Sequence, residues 1–242
     1  MASSSDGVAA SVLGALHRRR LREIWRSAGW PCQDLIEVEL LACGLLQRER
    51  DAAGRETLRV TDAGVHELAA TLSRNRAARD AHEVLVGRVA REMQRAGRVV
   101  WRGLSLRARI AAGGAASWAM AMPDVFSIRH TSVEDYVEPV VHEIKVRRAD
   151  LLADLHRREK GEAYLNLSSQ CWYVLRAGIG DAGDVPEPFG VMAAHESALE
   201  VLRPAGRRTH KLPFATWMAL ARATPEPLDD EAQGWLGGDP AQ

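Results

Sequence analysis

Apolar positions change their period several times along the chain. Over Val8–Ala28, Val12, Leu16, Leu21, Ile24 and Trp25 fall on one side of a helix. Pro31 ends the linking turn, and Cys32–Ala42 predicts a second helix stopped by Gly44. Leu45–Arg50 and Thr57–Thr61 predict short strands joined through Asp51-Ala52-Ala53-Gly54-Arg55, a natural tight connection. Thr61 or Asp62 caps the helix that follows, and Leu68 and Leu72 begin a connector. Asp80–Ala96 places Val84, Leu85, Val89 and Met93 at helical spacing. The apolar runs Trp118–Ile128 and Pro139–Val146 are too short for independent helices, and the second is rich in β-branched residues, so both predict adjacent strands. An amphipathic helix over Ala149–Ala163 then packs Leu151, Leu152 and Leu155 on the sheet, ahead of a strand at Cys171–Leu175. Trp172 and Tyr173 point to opposite faces of that strand, one to the core and one toward a groove. Ala111–Ala116, with its paired glycines, predicts a mobile turn.

These elements divide the chain into a small module at 8–74, a larger domain at 75–223 and a flexible tail at 224–242 rich in proline, acid and glycine. At 242 residues the composition is that of an ordinary soluble protein able to bury a core. No basic segment precedes an apolar one at the start and no stretch is long enough to span a bilayer, so the expectation is a cytoplasmic protein with no membrane partner. Cys32, Cys43 and Cys171 have no C-x-x-C spacing, which argues against a disulfide framework or a zinc site and predicts buried, reduced thiols. The formal net charge is zero. A nucleic-acid partner then needs a local basic surface, its arginines offset in the sum by acids such as Glu226, Asp229, Asp230 and Glu231.

The chemistry concentrates in Pro123-Asp124 and Glu143-Ile144-Lys145. Side chains alternate along a strand, so Glu143 and Lys145 share a face while Ile144 points into the core. With Asp124 on the neighbouring strand, two carboxylates form an oxygen-rich site suited to Mg²⁺ or Mn²⁺, and the Ile144 carbonyl is a further candidate ligand. Lysine occurs only at Lys145, Lys160 and Lys211 in an otherwise arginine-dominated chain, and a compact ammonium shares a pocket with a metal and a water where a guanidinium does not. The competing reading is unrelated strand-end charges forming a surface ion pair of little energetic value.

On these residues the chain resembles the PD-(D/E)XK nuclease superfamily. The run His142–Asp154, then Tyr164, Cys171-Trp172-Tyr173-Val174 and Val185–Val191, is similar to the small bacterial MmcB-like group of nucleases assigned to DNA repair. The resemblance spans about Asp80 to Leu202. It implies an α/β (α+β) fold with a restriction-endonuclease-like αβββαβ core, Mg²⁺ (or Mn²⁺) at Asp124 and Glu143, Lys145 assisting the water, and hydrolysis of DNA phosphodiesters in repair or processing. Some members carry a further acid on the first core helix, which makes Glu83 a candidate metal ligand; its other reading is a solvated helix carboxylate. Neighbouring His82 is a candidate metal ligand whose favoured reading is an ordinary helix-surface residue. The resemblance makes Asp150 and Asp154, one turn apart, part of the motif's extension that orients Lys145; their other reading is helix charges complementing the dipole. Arg147, Arg148 and Lys160 are candidates for phosphate contact, within a basic run that reads equally as a solvated face. Gln170 corresponds to a substrate-holding glutamine of some members, or to an ordinary polar turn. Since the superfamily includes inactive relatives, the alternative function is a DNA- or protein-binding regulator, and a third is an interaction protein whose motif charges merely pair. Many relatives are dimers, which makes a homodimer an expectation.

The first module resembles a winged helix, with the strand pair as its wing. Asp34, Glu37 and Glu39 on its candidate recognition helix would repel phosphates, while Arg48, Arg50, Arg55 and Arg59 on the wing and Arg18, Arg19, Arg20 and Arg22 on the first helix would attract them. That balance puts a protein-contact or dimerisation role slightly ahead of duplex binding.

Overall fold

The structure is a computed structural model, and residues 13–112 and 115–227 are described. The chain divides at Ala77/Ala78 into two compact units. Of the turn expected over Ala111–Ala116, Ala111 and Ala112 are instead strand residues paired with Ala116 and Ala115; positions 113–114, most of the expected tail and Trp235 lie outside the described residues.

In the first unit, helices α1 (Ala15–Arg26) and α2 (Leu35–Ala42) precede an antiparallel hairpin, β1 (Leu46–Arg50) and β2 (Glu56–Val60). Helix α3 (Asp62–Arg95) then starts in this unit and ends in the second. Leu21, Ile24, Leu40, Leu45, Leu46, Leu58, Val60 and Leu68 make the small core. Helix α2 starts at Leu35 rather than Cys32, because Gln33 has a positive φ and the Asp34 side chain caps the helix by accepting from Glu37 N at 2.9 Å. Thr61 closes the start of α3, its Oγ1 accepting from Gly64 N. The expected connector at Leu68 and Leu72 is instead continuous helix, since no proline or glycine interrupts the chain between Val65 and Val86.

Gly29 ties the α1–α2 turn to the hairpin. Its carbonyl accepts from Leu58 N at 2.7 Å, its φ is +76°, and an added Cβ would sit 2.2 Å from the Leu58 carbonyl oxygen. Gly29→Ala is therefore expected to destabilise the first unit by about 2 kcal/mol or more, combining a left-handed backbone with a clash against backbone that cannot swing away. Thermal unfolding followed by circular dichroism would read this as a lowered midpoint.

The second unit is built on a mixed six-stranded sheet in the order β10-β9-β8-β7-β6-β3: β3 (Arg98–Arg102), β6 (Val125–Arg129), β7 (Val140–Lys145), β8 (Gln170–Arg176), β9 (Gly190–Ala194) and β10 (Leu199–Arg203). Strands β7, β8 and β9 are parallel, and the remaining neighbours are antiparallel. A separate hairpin, β4 (Leu106–Ala112) and β5 (Ala115–Ala121), is inserted between β3 and β6. The C-terminal part of α3 covers one sheet face, with Leu85, Val86, Val89 and Ala90 packing on Val100, Val125, Ile144 and Val174. The opposite face, carrying Phe126, Val141, Tyr173, Leu175 and Val191, packs on Leu151, Ala163, Tyr164 and the inner side of the β4–β5 hairpin.

Two expected elements are each divided. The run Trp118–Ile128 forms two strands, because Pro123 has no N–H to give a ladder and the chain turns at Met122-Pro123-Asp124. The helix expected over Ala149–Ala163 is α4 (Arg148–Leu155) and α5 (Arg158–Leu165), separated where Arg157 leaves helical geometry with ψ +74°. The first residues of the tail are docked, with Glu226 N donating to the Val100 carbonyl and its carboxylate pairing with Arg102. Helix α6 (Phe214–Arg222) precedes them. Among the described residues no helix is long and apolar enough to cross a membrane. The cysteines are free thiols, but only Cys171 is buried; Cys32 is exposed because its turn lies outside the small core.

Candidate active site

Strand pairing sets the site. Val125 lies opposite His142 in the β6–β7 ladder, so extending the register by one residue puts Asp124 opposite Glu143. The Asp124 carboxylate accepts from Ile144 N at 2.7 Å, closing the ladder where the preceding proline cannot. Alternation then sends Ile144 into the α3-side core and Glu143 and Lys145 to the other face, toward α4 and α5.

There the two helices deliver a second carboxylate–lysine pair. Asp154, buried on α4, and Lys160, on α5, join Glu143 and Lys145 in one network. Lys145 Nζ donates to Glu143 Oε1 at 2.5 Å and lies 3.6 Å from Asp154 Oδ1. Lys160 Nζ donates to the same Glu143 oxygen at 2.6 Å and to Asp154 Oδ1 at 2.5 Å. Tyr173 OH donates to Asp154 Oδ2 at 3.1 Å, fixing the carboxylate that orients both ammonium groups. Lys160 also stands 5.2 Å from the centre of the Tyr164 ring, whose hydroxyl donates to the Met122 carbonyl.

Glu143 bears the largest electrostatic load. Its side chain is 3 % exposed, and burial first, then the charge of Asp124, push its carboxyl above the usual range against the pull of Lys145 and Lys160. Its second oxygen, Oε2, is buried and has no hydrogen-bond partner. Burial works against the Lys160 ammonium, yet Glu143 and Asp154 hold it above its ordinary value. Burial, together with the surrounding carboxylates, raises Tyr164 and Tyr173 and keeps both phenols neutral. Three carboxyl groups, Asp124, Glu143 and Asp154, thus face two ammonium groups.

His82 belongs to this neighbourhood rather than to an indifferent helix surface. From α3 its Nε2 approaches Asp124 Oδ2 at 3.4 Å, and that contact raises its pKa. His82, Glu83, Arg102, Gly103, Asp124 and Glu226 line an open cleft of about 370 Å³. Glu83 stands in the cleft, but its carboxylate lies 3.4 Å from His82 Nδ1 and is largely exposed. Among the described residues no three histidine, cysteine or acidic side chains converge to hold an ion. That leaves Asp124 and Glu143 as the two candidate side-chain donors, with Glu143 Oε2 unsatisfied. Mg²⁺ is commonly held by one or two carboxylates and completed by water and phosphate oxygens, and this donor set fits that chemistry.

The other expected residues are dispersed. Lys160 sits inside the network rather than on a free basic face. Arg148 forms a two-pronged ion pair with Asp184 and donates to the Ile179 carbonyl, while Arg147 is half-buried at the N-cap of α4. Gln170 pairs with Val140 three positions before Glu143, and alternation puts it on the opposite sheet face. Asp150 is exposed, so only Asp154 of that pair reaches the lysines. Tyr173 is the core-and-site member of its dipeptide; Trp172 packs on Val140 and Ala205. The resemblance already put Asp154 beside Lys145, whereas Lys160 and His82 joined them only in three dimensions, although two of the chain's three lysines falling near one motif was a signal for Lys160.

No protein-family model matches the chain, and no curated protein matches it. Among solved structures, a match was found to the SPO1766 protein of unknown function from Silicibacter pomeroyi, at 23 % identity over 55 % of this chain and 76 % of that one, with a TM-score of 0.37.

Proposed function

We propose that this protein is a divalent-metal-dependent hydrolase of DNA phosphodiester bonds, with Asp124 and Glu143 as the metal-holding carboxylates. The observation that carries the reading is Glu143 Oε2: a buried carboxylate oxygen, beside Asp124, that receives no hydrogen bond, the nearby Tyr164 hydroxyl being directed to the Met122 carbonyl. The convergence of three carboxyl groups at one spot supports it as well. So does chain order, in which α3, β3, β6, β7, the α4–α5 pair and β8 follow one another as a restriction-endonuclease-like αβββαβ core would, with the β4–β5 hairpin inserted.

A divalent cation bound there would lower the pKa of its water and clamp non-bridging phosphate oxygens. The protein's part is positioning and charge. Asp154, fixed by Tyr173, holds Lys145 and Lys160 on the same side as Glu143, so neither ammonium spends orientational freedom during the reaction. Lys145 then stabilises anionic charge on the phosphoryl group or steadies the attacking water. Lys145→Ala is expected to lower turnover by roughly a hundredfold while shifting the Mg²⁺ concentration for half-maximal rate little, as read from rates across a metal titration.

The deciding assay is cleavage of labelled single-stranded, duplex and branched DNA, and of an RNA strand, with Mg²⁺, Mn²⁺ or EDTA, by wild type and Glu143→Gln. Cleavage that needs both metal and Glu143 supports the proposal; absence of cleavage by wild type under every condition sinks it. A second reading, a binding regulator without turnover, is favoured by one observation: Lys160 already donates to Glu143 and Asp154, countering part of the charge a cation would meet.

In the first unit the expected DNA-attracting charges are occupied except Arg22, whose guanidinium donates to the Arg18 carbonyl and has no acidic partner among the described residues. Arg48 and Arg50 pair with Glu56, Arg59 with Glu49, Arg55 with Asp51, Arg18 with Glu67 and Arg19 with Glu23. The acids of α2 are equally engaged: Asp34 with Arg20, Glu39 with His17, and buried Glu37 accepting from Cys32 N and Gln33 N. Leu16, Trp25, Trp30, Leu35 and Val38 are exposed. We assign this winged-helix-like unit to protein contact, a second copy of the chain being the simplest partner.

A further inference from the structure

From Gly103 to Met122 the chain contains no acidic residue, and this segment folds into the β4–β5 hairpin. Its inner side is committed to the core. Leu106, Ala108, Ile110 and Ala121 are buried, and three hydrogen bonds fasten the hairpin to α5 and its C-cap: Glu162 accepts from Ala111 N, Asn166 donates to the Arg109 carbonyl, and Tyr164 donates to the Met122 carbonyl.

The outer side is a different surface. Register places Arg107 opposite Met120 and Arg109 opposite Trp118, all exposed, and Met122 continues the row. The Arg107 guanidinium lies 5.0 Å from the centre of the Trp118 ring. Neither arginine forms an ion pair among the described residues, in contrast to the paired arginines of the first unit. A rigid ribbon that shows an indole, thioethers and two uncompensated guanidinium groups offers bases a stacking surface and phosphates their counter-charge.

We propose that the outer face of this hairpin binds an unpaired nucleic-acid strand and leads it to Asp124. The inference rests on the hydrolase reading for the strand's destination, since β5 runs through Met122-Pro123 directly into Asp124. At about 3.3 Å per residue, Trp118 stands at most roughly 20 Å along the chain from Asp124, about six stacked nucleotides. Binding itself needs neither metal nor turnover.

The test is fluorescence anisotropy of labelled dT20, rU20 and a 20-base-pair duplex with the full chain in EDTA, at several salt concentrations, circular dichroism confirming that each variant is folded. Wild type is expected to bind a single strand more tightly than the duplex, and comparing dT20 with rU20 tells which sugar is preferred. Trp118→Ala should weaken that binding about tenfold or more, and Trp118→Phe, which keeps a stacking ring, should retain most of it. Arg107→Ala/Arg109→Ala should weaken it and reduce the salt slope by about 1.4, the share of two phosphates on a single strand. Failure of wild type to bind either strand, preference for duplex, or unchanged binding in both hairpin variants would overturn the proposal and leave the face to a protein partner. Hairpin-dependent binding without cleavage removes only the hydrolase reading, whereas Glu143-dependent cleavage with binding indifferent to the hairpin removes only this one.

Discussion

Glu143→Gln is expected to reduce metal-dependent cleavage by at least about a hundredfold and to leave the protein folded. The substitution keeps the shape and a hydrogen-bonding oxygen for the two lysines, yet it removes the charge that a divalent cation requires. Packing predicts tolerance, since the amide keeps the shape of the carboxylate and the oxygen that both lysines address, and Asp154 continues to compensate Lys145 and Lys160. The variant should also lose most metal binding, readable by isothermal titration with Mn²⁺ independently of any substrate. Wild-type rates and wild-type metal affinity in this variant would remove Glu143 from the site. Loss of both with an unchanged unfolding midpoint would separate a chemical role from a structural one.

Stability should fall as the pH drops below about 6.5, and His142 should be a principal cause. It is wholly buried, and burial first, then the neighbouring Arg98 guanidinium, push its pKa down to about 3. Arg98 cannot retreat: it donates to Ser127 and to the Glu138 carbonyl, and is itself brought down to about 10 by burial. The unfolded chain takes up a proton at the ordinary histidine value near 6.5, while the folded chain stays neutral to about pH 3. Stability from this group is therefore complete above 6.5 and is lost on acidification through that window. At about 1.4 kcal/mol per unit, the whole window is of the order of 4–5 kcal/mol. Glu143, with a raised carboxyl, acts in the opposite direction, so the informative quantity is the difference between wild type and His142→Gln in urea unfolding from pH 7 to 5. The wild type should lose about 2 kcal/mol over that interval relative to the variant; parallel curves would show that folded His142 takes up its proton at the ordinary histidine value.

Much of the architecture was legible because strand and helix periods leave local marks. The E-x-K alternation placed Glu143 and Lys145 on one face and Ile144 on the other without reference to anything distant. Pro123 carried the signal that the run Trp118–Ile128 must break, for a residue without an N–H does not continue a ladder there. The division between α4 and α5 had no such mark, since His156 and Arg157 are neither helix breakers nor caps, and tertiary packing decides it. Continuity of α3 was underestimated for the opposite reason: its polar middle lacks an apolar stripe but contains nothing that stops a helix. The site was legible where it followed from one strand and its neighbour. It was not legible where partners arrive from other elements, as with Lys160, seventeen residues after Glu143, and His82 on α3. Arginine density near the motif was likewise a poor guide to free positive charge, because Arg148 is spoken for by Asp184, a carboxylate thirty-six residues away.

The scarcity of lysine has a practical side. Lys145 and Lys160 are turned inward and shared between carboxylates, whereas Lys211 is 60 % exposed beside Glu134 and Asp135 on the surface. Amine-directed reagents used on the folded protein thus find one open lysine side chain, remote in sequence from the motif. A dye, a tether or a cross-linker installed there marks the molecule at a known place while Lys145 and Lys160 stay engaged by Glu143 and Asp154.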